Sequence, residues 1–325
     1  MSDEMKSDVS PTVALFQKAH ASLVTLQRMD EQIAQLAEKR RKVQAELRDA
    51  QAGLNEEIDR AATPSSISST LGALAGYRHL LRNLVLKDLK LKYRGSVFGL
   101  LWSLANPLLM IVVYTIAFTY LMPIHTAGFV FYLMLGILAW TFFASSLSAS
   151  TASIADNGGL VKSVFFPRAI LPLATVLFNL AQYLLTIVVF LPFMLIYYGI
   201  APAAPMLLFP VFLLLQCLFT VGLALLLSTA TAFFRDVKHL VDVGLAVLFW
   251  LTPIVYTLDR LPAGVQRAVM FSPMAPYITA YHNIFYDRVW PEPLTWTLAV
   301  GYGVLALLIG LTVIVRYEEQ FAERV

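Results

Sequence analysis

The chain has 325 residues, 58% of them hydrophobic and 14% charged, and its mean hydropathy is +0.69. A chain of this length and composition is far too apolar for a soluble domain, which indicates an integral membrane protein. The net charge of +3 mixes both signs and gives no indication of nucleic-acid binding.

The first part of the chain differs from the rest because it holds most of the basic residues. Residues 1–11 are polar and are predicted to be disordered. Residues 12–60 carry a 3,4 spacing that predicts one helix and a coiled-coil candidate of about six heptads. Because the seam includes Ser22, Arg40 and several alanines, a solvated single helix or a helix docked elsewhere is the alternative. Residues 61–76 are predicted to be a linker, because their first ten residues are rich in Ser and Thr and include Pro64.

An amphipathic helix is predicted for residues 77–98, where leucines alternate at roughly helical spacing with basic residues. Such a helix lies in the headgroup plane, with its basic side chains towards phosphates or a cytosolic protein. A simple anchor for the first membrane span is the alternative. The basic side chains nearest to that span are Lys87, Lys90, Lys92 and Arg94.

Six apolar stretches follow, each close to the 20 residues that a membrane crossing needs. They predict an all-α integral membrane protein whose six-span domain occupies residues 99–325. Twelve basic residues lie near the spans on one side and three on the other, so both termini and the 12–60 helix are predicted to be cytoplasmic. The predicted spans are 103–121, 129–149, 173–197, 206–232, 240–257 and 296–316.

Two polar features interrupt the apolar pattern. Arg235 and Asp236 form an adjacent pair between the fourth and fifth spans, either as an ordinary ion pair or as a hinge. Asp242 lies inside the fifth apolar run, where an ionised carboxylate is costly unless it is paired or wet. We expect it to pair with Lys238, one helical turn earlier, or to face a pore.

Five blocks, taken in order, resemble the permease subunit of polysaccharide ABC exporters, which move O-antigen, teichoic acid or capsule chains across the inner membrane. The resemblance covers residues ~77–325 and rests on the ordered set rather than on any single block. The family often has Asn where this chain has Ser272, and Arg where it has His282. The blocks are LKDLKLKYRGSVFGLLWSLANPL (86–108), NGGLVKSVFFPR (157–168), FRDV (234–237) with WLTPIVY (250–256), SPMAPY (272–277) and EQFAE (319–323).

The resemblance implies that the loop after the second span contains a coupling helix, and that the 77–94 helix also rests on an ATP-hydrolysing subunit. No G-x-x-x-x-G-K phosphate loop occurs in this sequence, so ATP and Mg²⁺ are expected on that partner and no cofactor on this chain. For Lys162 and Arg168, ordinary anchoring on the positive side of the membrane is the alternative. The candidate coupling residues are Lys87, Lys90, Lys92, Arg94, Asn157, Leu160, Lys162, Phe166 and Arg168.

A pore for a glycan needs hydroxyl groups and flat aromatic faces along which sugars can slide. Taken singly, each such residue is more often part of an interfacial belt or of helix packing. The candidate pore residues are Trp102, Tyr114, Tyr120, Trp140, Phe143, Ser146 and Tyr256.

Residues 258–293 are too long for a simple outer loop and are rich in proline. Such a segment can enter the membrane only where its backbone is buried in protein or lines a wet cavity. The resemblance implies two short helices that re-enter from the outer side and gate the exit, whereas interfacial helices on the bilayer surface are the alternative. The candidate gate and hinge residues are Arg235, Asp236, Pro253, Pro273 and Pro276.

The predicted function is that of a transmembrane permease subunit exporting a lipid-linked polysaccharide across the bacterial inner membrane. One six-span subunit encloses no channel wide enough for a glycan, so a homodimer with two ATP-binding cassette subunits is expected. The expected partners are therefore a second copy, the ATPase subunits, the glycan and membrane lipids, without nucleic acid. A permease for a small drug or lipid is the first alternative. A membrane-bound glycosyltransferase or acyltransferase is the second alternative. It is disfavoured because the sequence places no cluster of His or carboxylate residues on a loop.

Overall fold

In this computed structural model the described part of the chain comprises residue 20 and residues 33–49, 67–94, 101–121, 128–159 and 166–320. The chain divides into two units, Met1–Ala62 and Thr63–Val325. In the first unit residues 33–49 form helix α1, which is exposed along its whole length. An ion pair of 2.9 Å between Lys42 and Glu38, one turn apart, supports the helix. Residues 1–11 and the stretches 12–19, 21–32 and 50–60 of the predicted coiled coil lie outside the described residues.

The second unit begins with two helices, α2 (Ile67–Gly76) and α3 (Arg78–Tyr93). Helix α2 occupies part of the predicted 61–76 linker. It is held there because Thr70 is buried and Leu74 packs against a buried apolar cluster of the second unit. Helix α3 corresponds to most of the predicted 77–98 amphipathic helix. The position of α3 in the headgroup plane of a bilayer stays a prediction.

Four helical segments are long and apolar enough to cross a bilayer, and they confirm the predicted spans 129–149, 173–197, 206–232 and 296–316. Helix α5, at the centre, is the most enclosed of the four, and a short helix α6 (Ser153–Asp156) follows it. No strand occurs within the described residues. The four segments are α5 (Phe129–Thr151), α7 (Ile170–Tyr197), α8 (Phe209–Phe233, preceded by the 3₁₀ turn Ala204–Leu208) and α12 (Pro293–Tyr317).

The other two predicted spans are shorter or less regular than expected. Helix α4 (Leu101–Ile116) is continued by a π-helical turn, Ala117–Leu121, so the predicted span 103–121 is helical in two parts. Helix α9 (Val237–Trp250) has 14 residues, fewer than a crossing needs. The predicted span 240–257 is helical only as far as Trp250, because Pro253 disfavours helical backbone before it and lacks an N–H donor. Four of the six predicted spans are therefore candidate membrane helices within the described residues, and the six-span count is not confirmed.

The bundle has a basic end, at which Arg168, Arg235, Lys238 and Arg316 lie, and an opposite end, at which α5 begins. Near the opposite end the chain forms helix α10 (Ala263–Met270), which is largely exposed, and helix α11 (Ala275–Tyr281), continued by a π-helical turn, His282–Asp287. All but one of the α11 residues are buried. The predicted outer segment therefore contains one helix on the surface of the bundle and one inside it.

Helix α11 is held in the bundle by a fully buried glutamine. The hydroxyl of Tyr281 donates to Oε1 of Gln216 on α8 (2.7 Å), and Nε2 of Gln216 donates to the carbonyl of Ala139 on α5 (3.0 Å). Because Ala139 is ten residues from the start of α5, this contact lies roughly 15 Å along that helix. Tyr277 donates to the carbonyl of Ala299 on α12 (2.9 Å). These contacts hold α11 against α5, α8 and α12.

Helices α8 and α12 approach each other closely where both carry glycine. A methyl group built on Gly222 would overlap the backbone of Ala306 and Leu307, and one built on Gly310 would overlap the backbone of Gly222. Small residues allow this approach between membrane helices, whose association depends on van der Waals packing and hydrogen bonds rather than on hydrophobic burial.

This packing predicts that Gly310→Ala lowers the free energy of unfolding by about 1–3 kcal/mol, because the added methyl group must push α12 away from α8. Gly301→Ala, in the same helix, is the matched control, since nothing lies within 4 Å of its added methyl group. We expect the control to be neutral or stabilising by up to about 1 kcal/mol, since alanine favours a helix. Equilibrium unfolding in detergent measures both; equal effects of the two substitutions would contradict the close approach.

Candidate functional site

Three of the four cationic coupling candidates at α3 lie on one side of it: Lys87 and Lys90 on the helix, and Arg94 directly after its last residue. Lys87, Lys90 and Arg94 are exposed and recur every three or four residues, so they share one face. They line a groove of about 610 Å³. We call this surface the α3 groove; its lining residues are Asn83, Leu86, Lys87, Lys90, Leu91 and Arg94. The groove joins three cations to two exposed leucines, which suits an acidic surface with an apolar patch.

Lys92 points away from this groove and holds α3 against α7. Its ammonium group hydrogen-bonds to Gln182 and lies 5.8 Å from the ring centroid of Phe178. The earlier part of α3 contributes Leu80 and Leu84 to an apolar cluster at the basic end. The structure therefore separates Lys92 from the other three cations with which it was grouped, and α3 lies along α7.

The predicted coupling loop is described on both sides of residues 160–165. Before that gap, Asn157 is half-buried and its Nδ2 donates to the carbonyl of Ser153 (2.8 Å). After it, Phe166 and Arg168 are buried. Phe166 packs in the same apolar cluster as Leu80 and Leu84, so the loop and α3 meet one surface of the bundle. Leu160 and Lys162 lie outside the described residues.

A buried glutamate ties this loop to the last span. The backbone N–H of Arg168 donates to Oε1 of Glu318 (2.9 Å), and Glu318 is the residue directly after α12. Burial raises the pKa of the Glu318 carboxyl above its usual range, and Arg168 only partly opposes the shift. Within the described residues its second oxygen, Oε2, has no hydrogen-bond partner. Sequence reasoning missed Glu318; the available signal was an acid placed directly after an apolar run, at the end of the bundle that carries the basic residues.

The candidate pore residues do not form one wall in the described structure. Trp140, Phe143 and Ser146 are buried on α5, and Phe143 stacks on Phe219 of α8 at 5.6 Å between ring centroids. Tyr114 is half-buried near Phe118, whereas Tyr120 is exposed. The hydroxyl of Tyr256 donates to the carbonyl of Trp250 (2.9 Å). The side chain of Trp102 lies outside the described part. Trp140 and Phe143 thus serve helix packing within this subunit.

The gate candidates are divided between the two ends of the bundle. Pro276 is buried in the first turn of α11, whereas Pro273 is exposed just before that helix. Arg235 and Asp236 are exposed in the turn between α8 and α9, at the basic end. The structure therefore does not bring the hinge pair near the prolines.

Tyr132 and His282 fasten the gate region to α5. Their rings stack at 3.6 Å between centroids, and Nε2 of His282 lies 3.0 Å from the carbonyl of Tyr132. The hydroxyl of Tyr132 donates to the carbonyls of Pro253 (3.4 Å) and Tyr256 (3.1 Å). These contacts join the turn after α9 and the π-helical turn after α11 to the central helix.

Asp242 is exposed on α9 and accepts a hydrogen bond from the hydroxyl of Ser148 on α5 (3.0 Å). In place of the expected pairing with Lys238 on the same helix, Asp242 thus contacts Ser148 on a different helix. A hydroxyl in a neighbouring helix satisfies the carboxylate because α9 lies beside the serine-rich part of α5.

Comparison with known proteins places these features in a family. Residues 79–286 match the ABC-2 type transporter family. The O-antigen export system permease protein RfbA of Myxococcus xanthus is 36% identical over 256 residues, which cover 77% of this chain and 96% of that protein. Two proteins of the same name from Klebsiella pneumoniae are 33% identical over 238 residues and 31% identical over 245 residues. Each of these matches covers 73% of this chain and 91% of the relative.

The buried glutamate generates a pH-dependent prediction. Because the pKa of Glu318 is raised in the folded state, its contribution to stability is fully present below the ordinary glutamate pKa of about 4.3. This stabilising contribution is lost as the pH rises through the raised pKa of Glu318 in the folded state. Glu318→Gln cannot ionise and keeps an oxygen for the N–H of Arg168. We therefore expect this variant to have a higher Tm than the unchanged chain near pH 7, with the difference shrinking as pH falls to about 4.

Thermal unfolding of both proteins across this pH range measures the difference. Glu292→Gln, at an exposed glutamate at the other end of α12, is the control and is not expected to raise the Tm at pH 7. A lower Tm for Glu318→Gln at pH 7 would mean that Arg168 stabilises the ionised carboxylate more than burial opposes it.

Proposed function

Because the chain belongs to the ABC-2 type transporter family, we propose that it is the permease subunit of an exporter for a lipid-linked polysaccharide. The substrate class is carried by one observation: the similarity to O-antigen export permeases extends over at least nine-tenths of each relative's length. As in the sequence interpretation, the chain contributes transport rather than catalysis. ATP and Mg²⁺ bind to a separate subunit, and the alternative of a small drug or lipid as substrate is not favoured by these relatives.

The ATPase subunit docks at the basic end of the bundle, on a surface that combines the α3 groove with the loop around Phe166 and Arg168. Two contacts support a common docking surface. Leu80, Leu84 and Phe166 pack in one apolar cluster, so movement of the loop reaches α3 directly. The bond between Arg168 and Glu318 links the same loop to the end of α12.

The basic end faces the cytoplasm of a bacterium, since basic residues near membrane spans favour that side. Two copies of the permease and two ATP-binding cassette subunits form the transporter. The dimer is supported by the packing of a single copy: α5 and its aromatic side chains fill the centre of the bundle. A glycan therefore needs a path between copies. The exposed apolar residues of α9, which include Leu240, Val243 and Val247, suit either such a contact or lipid.

Removal of the gene from its own bacterium tests this function. We expect the lipid-linked polysaccharide to be made but held inside the cell. Intact cells should then lose surface-labelled glycan, whereas lysed cells retain it. Loss of the ATPase partner should give the same result, and a plasmid copy of the permease should restore surface glycan. Unchanged surface glycan in the deletion strain would contradict the proposal.

The α3 groove generates a separate prediction. The triple variant Lys87→Glu, Lys90→Glu and Arg94→Glu is expected to weaken docking of the ATPase roughly tenfold, equal to about 1.4 kcal/mol, because like charges would meet an acidic surface. Arg82→Glu is the matched control, since Arg82 is exposed on the same helix outside the groove.

Co-purification of the ATPase and glycan export are measured together for both variants, and membrane insertion is checked for each. If the triple variant inserts and binds the ATPase as the control does, the groove is not a docking surface. If insertion alone is lost, the helix is a simple anchor.

A further inference from the structure

Helix α1 presents an uncovered apolar seam. Ile33, Leu36, Val43 and Leu47 are 49–66% exposed, and they recur at the a and d positions of a heptad that also includes Arg40. The helix lies outside the family match, which begins at residue 79, so the family relationship assigns it no role. Large apolar side chains repeated along one helix face mark a surface that another helix covers.

We propose that α1 pairs with α1 of a second copy of this chain, in an antiparallel coiled coil in which Lys39 of each helix lies beside Glu46 of the other. The proposal concerns assembly and is independent of the export activity proposed above. Two antiparallel helices are related by a two-fold axis perpendicular to them, the symmetry of an ordinary homodimer.

The residue at the centre of the seam disfavours a parallel pair. In a parallel dimer each a residue faces the same a residue of the partner, which would place two Arg40 side chains against each other. In an antiparallel pair each a residue faces a d residue. Arg40 then faces an aliphatic side chain, over which its own methylene groups can pack while the guanidinium remains in water.

The flanking charges favour the same orientation. On α1 the g positions hold Lys39 and Glu46, whereas the e positions hold Ala37 and Gln44, which carry no charge. A parallel pair brings g residues beside e residues and so places Lys39 beside uncharged Gln44. An antiparallel pair brings g residues beside g residues. Because the two g residues have opposite charges, a single register then forms two identical Lys39–Glu46 contacts, one on each side of the two-fold axis.

The neighbouring antiparallel registers lack this complementarity. Sliding one helix by a heptad brings Lys39 beside the other copy's Lys39, and sliding it the opposite way brings Glu46 beside Glu46. Like charges at flanking positions are destabilising, so the charge pattern selects one register as well as one direction. Lys39 and Glu46 of each helix thus each have one defined partner on the other helix, so the proposal can be tested by substituting single residues.

Disulfide cross-linking in membranes tests the pairing in the full-length chain. Two differently tagged copies are co-expressed with the single native cysteine removed by Cys217→Ser, one copy carrying Lys39→Cys and the other Glu46→Cys. We expect mild oxidation to join the two tags. Leu36→Cys in both copies is the orientation control: it cross-links to itself in a parallel pair, whereas in the antiparallel pair the two positions lie more than about 15 Å apart along the axis.

Charge exchange provides a second test that does not disturb the seam. For this measurement one copy carries Ala37→Cys and the other Gln44→Cys, because these two e positions lie beside each other in the same antiparallel register and outside the seam. Lys39→Glu in both copies is expected to lower cross-linking roughly fivefold, about 1 kcal/mol, and adding Glu46→Lys should restore it. Cross-linking of Leu36→Cys to itself would overturn the antiparallel pair. Absence of cross-links at every pair would overturn self-association, and failure of the double exchange to restore it would overturn the Lys39–Glu46 contact.

Discussion

The fold depends on satisfying polar groups where no water is available. Inside a bilayer an unpaired amide or hydroxyl costs several kcal/mol, so a polar side chain there must find a partner within the protein. Gln216 does so by joining three helices: its amide nitrogen binds α5 and its amide oxygen accepts the Tyr281 hydroxyl of α11. Helix α11 has seven residues, too few to be stable alone. Its place in the bundle therefore comes from these contacts and not from its own helix propensity.

The remaining contacts extend this constraint to the two ends of the protein. Towards the opposite end, the stacking of Tyr132 on His282 fixes the turn that follows α11. Towards the basic end, the glycine contact between α8 and α12 keeps the last span close to the helix that carries Gln216. Glu318 then connects that span to the loop before α7. A continuous series of packed elements thus joins the proposed ATPase surface to the helix inside the bundle, and such a series offers one physical route for movement between them.

Sequence reasoning succeeded where a feature depends on length and polarity alone. Four apolar runs became helices long enough to span, because hydropathy over about 20 residues reports burial in lipid directly. The fifth run failed as a single helix because Pro253 ends helical backbone, an effect that a hydropathy average does not register. Amphipathic spacing located the cations of α3, but it could not say that Lys92 faces α7, since spacing identifies faces and not their neighbours. Phe143 stacks on Phe219 within the bundle, and its role in a pore stays a prediction because an aromatic side chain has the same sequence pattern in a core as in a channel. Gln216 was missed although an amide inside an apolar helix is itself a signal of a buried contact.

A double-mutant cycle between Gln216 and Tyr281 tests the central claim most directly. Gln216→Leu and Tyr281→Phe are introduced singly and together, and unfolding free energies are measured in detergent or bilayers. The account predicts that the double variant loses less than the sum of the single losses, by about 0.5–2 kcal/mol, because both substitutions remove one shared hydrogen bond. Tyr277→Phe is the control, since its hydroxyl binds Ala299 and should combine additively with Gln216→Leu. Additive losses for Gln216 and Tyr281 would contradict the claim that this contact holds α11 inside the bundle.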